Sequence, residues 1–311
     1  MRSWFKKLGG NRLGFGSLLK VSMVSLAAAL ALFIGYQPAS GQGPSVKAPV
    51  NTYKAPRTKD GKPNLNGIWQ AMNTANWDLE AHAAGQSMDP KDGAMFAIPP
   101  GLSVVVGGSI PYLPAALEKK KQNFANRLKL DPENKCYMGG IPRAHYMGHP
   151  FQIIQGGKDM MFVYQYAGAV RTINMGKPIE APADSWMGQS NGHWEGETLV
   201  IDVTSQVEDS WFDRAGDFHS DKLHVVERYT PRSADTLWYE ARIEDPKTFS
   251  QPWTIRMPLY RHVEENAQIL EFKCVEFAEE LLYGHLRKPA GAPSVPAQTK
   301  GGPGAAKGKG K

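Results

Sequence analysis

The chain has 311 residues, 41% of them hydrophobic, with two cysteines and a formal net charge of +6. The positive excess sits at the two ends: residues 1–41 hold five basic and no acidic residues, residues 287–311 hold six basic and no acidic ones, and removing both from +6 leaves −5 for the middle. The basic excess therefore belongs to the ends and not to a folded basic face, and nucleic-acid binding by the middle loses its main electrostatic support.

In chain order, Arg2, Lys6, Lys7, Arg12 and Lys20 precede an apolar run over residues 21–36, followed by Pro38, Ala39, Ser40 and Gly41. Positive segment, apolar segment and small residues form a secretory signal, with cleavage expected near Gly41 and a periplasmic or secreted product. The run is shorter than the roughly 20 apolar residues of a membrane span; an uncleaved anchor would leave the same outward-facing domain. Residues 42–63, rich in Pro, Lys and Gly, read as a flexible linker, and residues 64–288 as a single β-rich domain. Residues 289–311 lack large apolar side chains and read as a disordered basic tail, able to make weak contact with an envelope surface. In an oxidising compartment Cys136 and Cys274 pair as a disulfide; two separate buried thiols are the alternative.

Within the domain, residues 64–70 suggest a first strand. Pro111 and Pro114 introduce a helix over residues 115–128, with Ala116, Leu117, Phe124 and Leu128 on one face and Lys119, Lys120 and Lys121 toward water, packed across the outside of a sheet. From residue 151 the pattern is of strands: 151–155, a turn at Gly156 and Gly157, 160–166, 169–175, 198–203, 223–230 ended by Pro231, 237–244, 253–259 and 268–275. About eight strands joined by short turns predict a mainly β fold, an antiparallel lipocalin-like (calycin-type) barrel or strongly curved sheet. At that size the interior holds side chains or one small ligand. Gly67-Ile68-Trp69 resembles the G-x-W of the opening strand in lipocalin-like barrels.

Two longer stretches, residues 186–202 (WMGQSNGHWEGETLVID) and 211–229 (WFDRAGDFHSDKLHVVERY), resemble motifs of a group of secreted or periplasmic bacterial proteins. The same group is matched by Asn64 to Trp69, by Cys136, Gly140, Pro142 and Arg143, by Asp245, Pro246, Phe249, Pro252 and Trp253, and by Phe272 and Cys274. The resemblance implies export and a single β-rich domain. It implies no reaction, because none is established for the group.

Candidate chemistry concentrates in residues 213–228. His219 beside Asp213 or Glu227, with Arg228, would make an acid–base cluster, since a carboxylate orients an imidazole and raises its pKa. Period two places Glu227 on one strand face with Leu223 and Val225, where it needs a partner such as Arg171 or Arg242. The plainer reading is an internal salt bridge that sets strand register. Arg171, Trp186, Trp253, Tyr164 and Tyr239 are candidates to line an apolar ligand cavity, or simply to fill a core. His145 and His149 are four apart, but Gly148 and Pro150 oppose a helix there, and no metal is assigned. Phosphate-loop, dinucleotide and nucleophile-elbow motifs are absent from the sequence, so no cofactor is assigned. The expectation is an exported protein that binds a small, largely apolar or amphipathic molecule in the cavity of the barrel; the alternative is an isomerase, cyclase or lyase on the same barrel, using the His219 cluster.

Overall fold

The computed structural model describes residues 51–87 and 96–286. The signal at 1–41, the beginning of the linker and the basic tail lie outside the described residues. Nine strands, β1 (Gly67–Gln70), β2 (Phe151–Gln155), β3 (Asp159–Tyr164), β4 (Val170–Asn174), β5 (Gln189–Glu195), β6 (Thr198–Thr204), β7 (His224–Ser233), β8 (Thr236–Glu244) and β9 (Trp253–Arg261), form a closed barrel in sequence order. The lipocalin-like barrel expected from the strand series is present, with nine strands and one parallel pairing instead of about eight antiparallel ones.

Alternation builds the interior. In β7, Val225, Glu227, Tyr229 and Pro231 are buried, and in β8 Leu237, Tyr239, Ala241 and Ile243. Phe151, Phe162, Ile173, Ile201, Ile255 and Leu259 join them in one continuous core. Closure is made where β1 pairs with β9, at Trp69↔Arg261 and Gln70↔Tyr260. Arg261 lies 4.2 Å over the Trp69 ring and donates to the Asn66 carbonyl at 2.6 Å, while Trp69 Nε1 donates to Leu65 O at 2.9 Å. A closed ring has no free edge. That is why residues 268–275, expected as a closing strand, are not one. Their alternation serves other contacts: Phe272 packs on His149 and Tyr166, and Cys274 is bonded to Cys136.

Other expectations shift as well. β5 was not anticipated, because Gln189 to Glu195 carries no apolar alternation. Pro231 does not end β7; the strand runs to Ser233 with a register shift between the two, the kind of bulge that accommodates a residue without an N–H. The helix spans α1 (Pro114–Ala125), followed by α2 (Arg127–Leu130), and its packing differs: Leu117 is exposed while Ala116 and Asn123 are buried. It rests on the 211–218 loop, with Asn123 Nδ2 donating to Gly216 O at 3.1 Å, and Lys120 turns inward to Asp217 at 3.1 Å. From residue 51 the expected linker lies against the barrel: Asn51 donates to Pro231 O at 2.7 Å, Ala55 is buried, and Arg57 pairs with Glu197.

The Cys136–Cys274 disulfide joins the segment before β2 to the one after β9, across 138 positions of sequence. Such a bond persists in an oxidising, non-cytosolic compartment. Closing so long a loop in the unfolded chain predicts that Cys136→Ser with Cys274→Ser lowers unfolding free energy by roughly 2–5 kcal/mol. Urea denaturation of the variant against the oxidised protein measures it; equal midpoints would refute it.

Candidate functional site

The barrel centre holds a buried charge pair. Arg171 on β4 reaches across the lumen to Glu227 on β7, and the contact is a direct guanidinium–carboxylate bond, Nη2 to Oε2. These strands are not neighbours in the sheet, so the pair spans the interior. Both side chains are at most 1% exposed. Arg171 Nε also donates to Ser190 Oγ on β5 at 2.7 Å, and Glu227 Oε1 accepts from Tyr239 at 2.7 Å and Tyr229 at 2.9 Å. Burial alone would push Glu227 up, but the Arg171 charge and the bonds from Arg171 and Tyr239 hold its carboxyl below the usual range.

His145 enters the same cluster from the turn Arg143–His145. Its ring stacks on Tyr239 at 4.7 Å and meets Phe151 edge-on at 4.9 Å. Burial holds the imidazole near a pKa of about 4, so it is neutral at physiological pH. Nδ1 faces the Pro142 carbonyl at 3.2 Å and must carry the proton, leaving Nε2 to accept from Tyr229 (2.7 Å) or Tyr164 (3.1 Å). Tyr229 thus has one proton and two acceptors in reach, Nε2 and Glu227 Oε1. The chain Glu227–Tyr229–His145 is a connected proton path sealed inside the barrel, and its first effect is rigidity.

The expected catalytic set does not assemble around this path. Arg228 points outward from β7 and pairs with Glu195 at 2.6 Å, on the opposite face from Glu227. His219 Nε2 meets Ser210 Oγ at 2.7 Å and Nδ1 donates to Ser220 O at 2.9 Å; neither Asp213 nor Glu227 is its partner. Ser210 and His219 have nucleophile–base spacing, but at 2% and 1% exposure the hydroxyl faces no substrate. Asp213 accepts from the backbone of Leu79 (2.9 Å) and Asp217 (3.1 Å), and lies with Asp78 and Asp217 in a trio offering one oxygen each within 4.8 Å. The spacing suits a cation, and Lys120 already supplies positive charge to Asp217. Of the two candidate partners for Glu227, Arg171 takes the role, while Arg242 pairs with Glu244 on the outside.

The aromatic candidates also divide. Tyr164 and Tyr239 belong to the central cluster. Trp253 packs with Phe212 and Phe249 at the start of β9. Trp186 lines a cleft of about 530 Å³ at the seam between β4 and β5. The seam follows from topology: β4 and β5 run parallel and share only two register pairs, Ile173↔Ser190 and Asn174↔Asn191. A parallel pair needs a crossover instead of a hairpin, and here residues 175–188 make it. The cleft lies between Val170, Arg171 and Thr172 of β4 and Ser185 to Gly188 of the crossover, with Met138 and Ile179 completing its apolar lining. Trp186 packs against Tyr137, with the ring centroids 4.9 Å apart and the planes tilted by 39°. Two glycines set this geometry. Gly188 has φ +65 and a Cβ there would meet Thr204 O at 2.5 Å; a Cβ on Gly192 would meet Ile173 Cγ2 at 2.7 Å and keep β4 from approaching. Arg171 is the residue common to the cleft lining and the central cluster.

No protein-family model matches the chain, and no curated protein matches it. The functional reading therefore rests on this geometry.

Sequence reasoning missed His145 as a core group and Arg143 as a hub. Arg143, 1% exposed, binds Asp131 in bidentate fashion (2.8 and 3.1 Å), Glu133 at 2.7 Å and Asn76 at 2.8 Å. Its place in the Cys136-to-Arg143 motif was the available signal.

Two outcomes follow. Glu227→Ala leaves Arg171 charged and unpaired, and lowers unfolding free energy by roughly 3–5 kcal/mol; Arg171→Met with Glu227→Leu restores much of it. A single-variant loss below about 1 kcal/mol in urea denaturation would deny the pair its structural role. Burial, with the Asp217 charge beside it, raises Asp78 to a pKa of about 6 from 3.8. The folded state then holds a proton that the unfolded chain releases, so this contribution is present below about pH 4 and lost as pH rises through about 6. Asp78→Asn gains stability relative to wild type across that window in thermal melts; a pH-independent difference contradicts the assignment.

Proposed function

We propose that this protein is an exported barrel that binds a small, largely apolar or amphipathic molecule in the β4–β5 seam cleft. One observation carries the reading: a cleft of about 530 Å³, within the range of small-molecule sites, whose lining is shared between the apolar Trp186, Met187, Met138, Val170 and Ile179 and the polar Asp159, Arg171, Thr172, Asn174, Ser185 and Gln189, which suits an amphipathic molecule. The barrel lumen itself is packed with Phe151, Phe162, Tyr164, Tyr229 and Tyr239, each at most 2% exposed, which favours the seam over the centre as the place for a ligand. Export to the periplasm or beyond is supported by the amino-terminal pattern of the sequence and by the disulfide.

An isomerase, cyclase or lyase centred on His219 draws less support. Its four groups, His219, Asp213, Glu227 and Arg228, are divided between a loop, the lumen and the outer surface.

The test is native mass spectrometry of the mature protein taken from its own envelope fraction, with anilinonaphthalene sulfonate titration of the purified chain. The expected result is a stoichiometric organic adduct, and probe affinity roughly tenfold weaker in Trp186→Ala, the loss of one aromatic contact. An apo mass together with Trp186-independent probe binding would refute the cleft as the site.

A further inference from the structure

We infer that the last described segment, Phe277 to Leu286, is an interfacial foot that seats the barrel on an anionic lipid bilayer. The inference is independent of the seam cleft.

The root of this segment is fixed to the body. Phe272 packs against His149 at 4.7 Å and Tyr166 at 5.1 Å, Cys274 is bonded to Cys136, and Phe277 N donates to Asn134 O at 2.9 Å. Beyond that root, helix α3 (Ala278–Tyr283) and the turn Gly284–Leu286 present apolar side chains to water: Leu281 is 68% exposed, Leu282 61% and Leu286 63%. Three leucines so exposed within six positions form a concentrated apolar surface, which isolated surface leucines do not.

The adjoining sequence says what this surface meets. From Arg287 to the end there are six basic residues and no acid, and Val295 is the largest aliphatic side chain. That stretch has nothing with which to cover the leucines. A second copy of the chain would bring two such basic stretches together and meet their repulsion. The acids of the segment, Glu276, Glu279 and Glu280, precede the leucines, and the basic residues follow them, so charge is segregated along the chain. An anionic bilayer complements the leucines and the basic stretch, whose six positive charges outnumber the three acids before them. Its acyl boundary receives the leucines, and its negative surface potential attracts the lysines. Neither signal suffices alone for stable association, whereas an apolar insertion joined to a basic stretch does. Among the described residues no helix is long and apolar enough to cross a membrane.

The experiment is co-sedimentation of the full mature chain with vesicles rich in phosphatidylglycerol, against phosphatidylcholine vesicles, at low and high salt. The expected result is binding to the anionic vesicles only, weakened by salt, and roughly tenfold weaker for Leu281→Ser with Leu282→Ser. These positions are exposed, and an unchanged urea midpoint confirms that the variant folds. Three results would overturn the inference: no sedimentation with anionic vesicles; sedimentation unchanged by the double substitution, which would mean electrostatic contact alone; or a wild-type dimer that becomes monomeric in the variant, which would make the leucines a self-association surface.

Discussion

The Arg171–Glu227 pair is the constraint on which the rest of the barrel depends. Two full charges in a low-dielectric lumen are tolerable when each is matched and hydrogen-bonded. Glu227 is held by Tyr229, Tyr239 and the guanidinium; Arg171 adds Ser190 on β5, while its Nη1 is buried with no hydrogen-bond partner among the described residues. These bonds reach four strands, β4, β5, β7 and β8, and fix register across the barrel as well as around it. The bland alternative considered for Glu227, an internal salt bridge, is what the structure contains. Its members are also the reason why the lumen is full: three tyrosines and one histidine are needed to satisfy one carboxylate and one another.

With the lumen filled, the cleft of about 530 Å³ lies in the wall. Two junctions of the wall, the β4–β5 seam and the β1–β9 closure, rest on two register pairs each, where most of the others have five to nine. Ser190 connects the two problems. As part of β5 it supports the seam, and as an acceptor from Arg171 it ties that seam to the central pair. The cleft is therefore a consequence of topology, bordered by a rigid interior.

Much of this was legible in the sequence, for identifiable reasons. β7, β8 and β9 carry strict alternation over buried Val225, Tyr239 and Ile255, and period two gave both their faces and the inward direction of Glu227. The disulfide followed from two cysteines in a chain whose amino-terminal pattern reads as an export signal. β5 was hidden because its inward residues are Ser190 and Gly192, chosen for a hydrogen bond and for close approach, so that no hydrophobic period exists to read. The 268–275 stretch misled for the converse reason: it alternates, but the ring is already closed. His219 attracted a catalytic reading because its neighbours in sequence are acidic; in space its partners are Ser210 and the Ser220 carbonyl. Sequence proximity does not report which side of a loop a carboxylate takes.

The long stretch from Trp186 to Asp202 shows how one motif serves several physical demands. Trp186 and Met187 border the cleft, Gly188 turns the chain against Thr204, Ser190 receives Arg171, Gly192 admits Ile173, and Gly196, at φ +61, turns β5 into β6. None of these residues is interchangeable with its neighbour, because each answers a different constraint at a fixed spacing along one strand. A motif built this way specifies the seam first and the lining of the cleft second. Substitution is then most easily accommodated at Trp186, Met187 and the facing Met138 and Ile179, which the barrel does not need for closure, and least easily at Ser190 or Gly192, which it does.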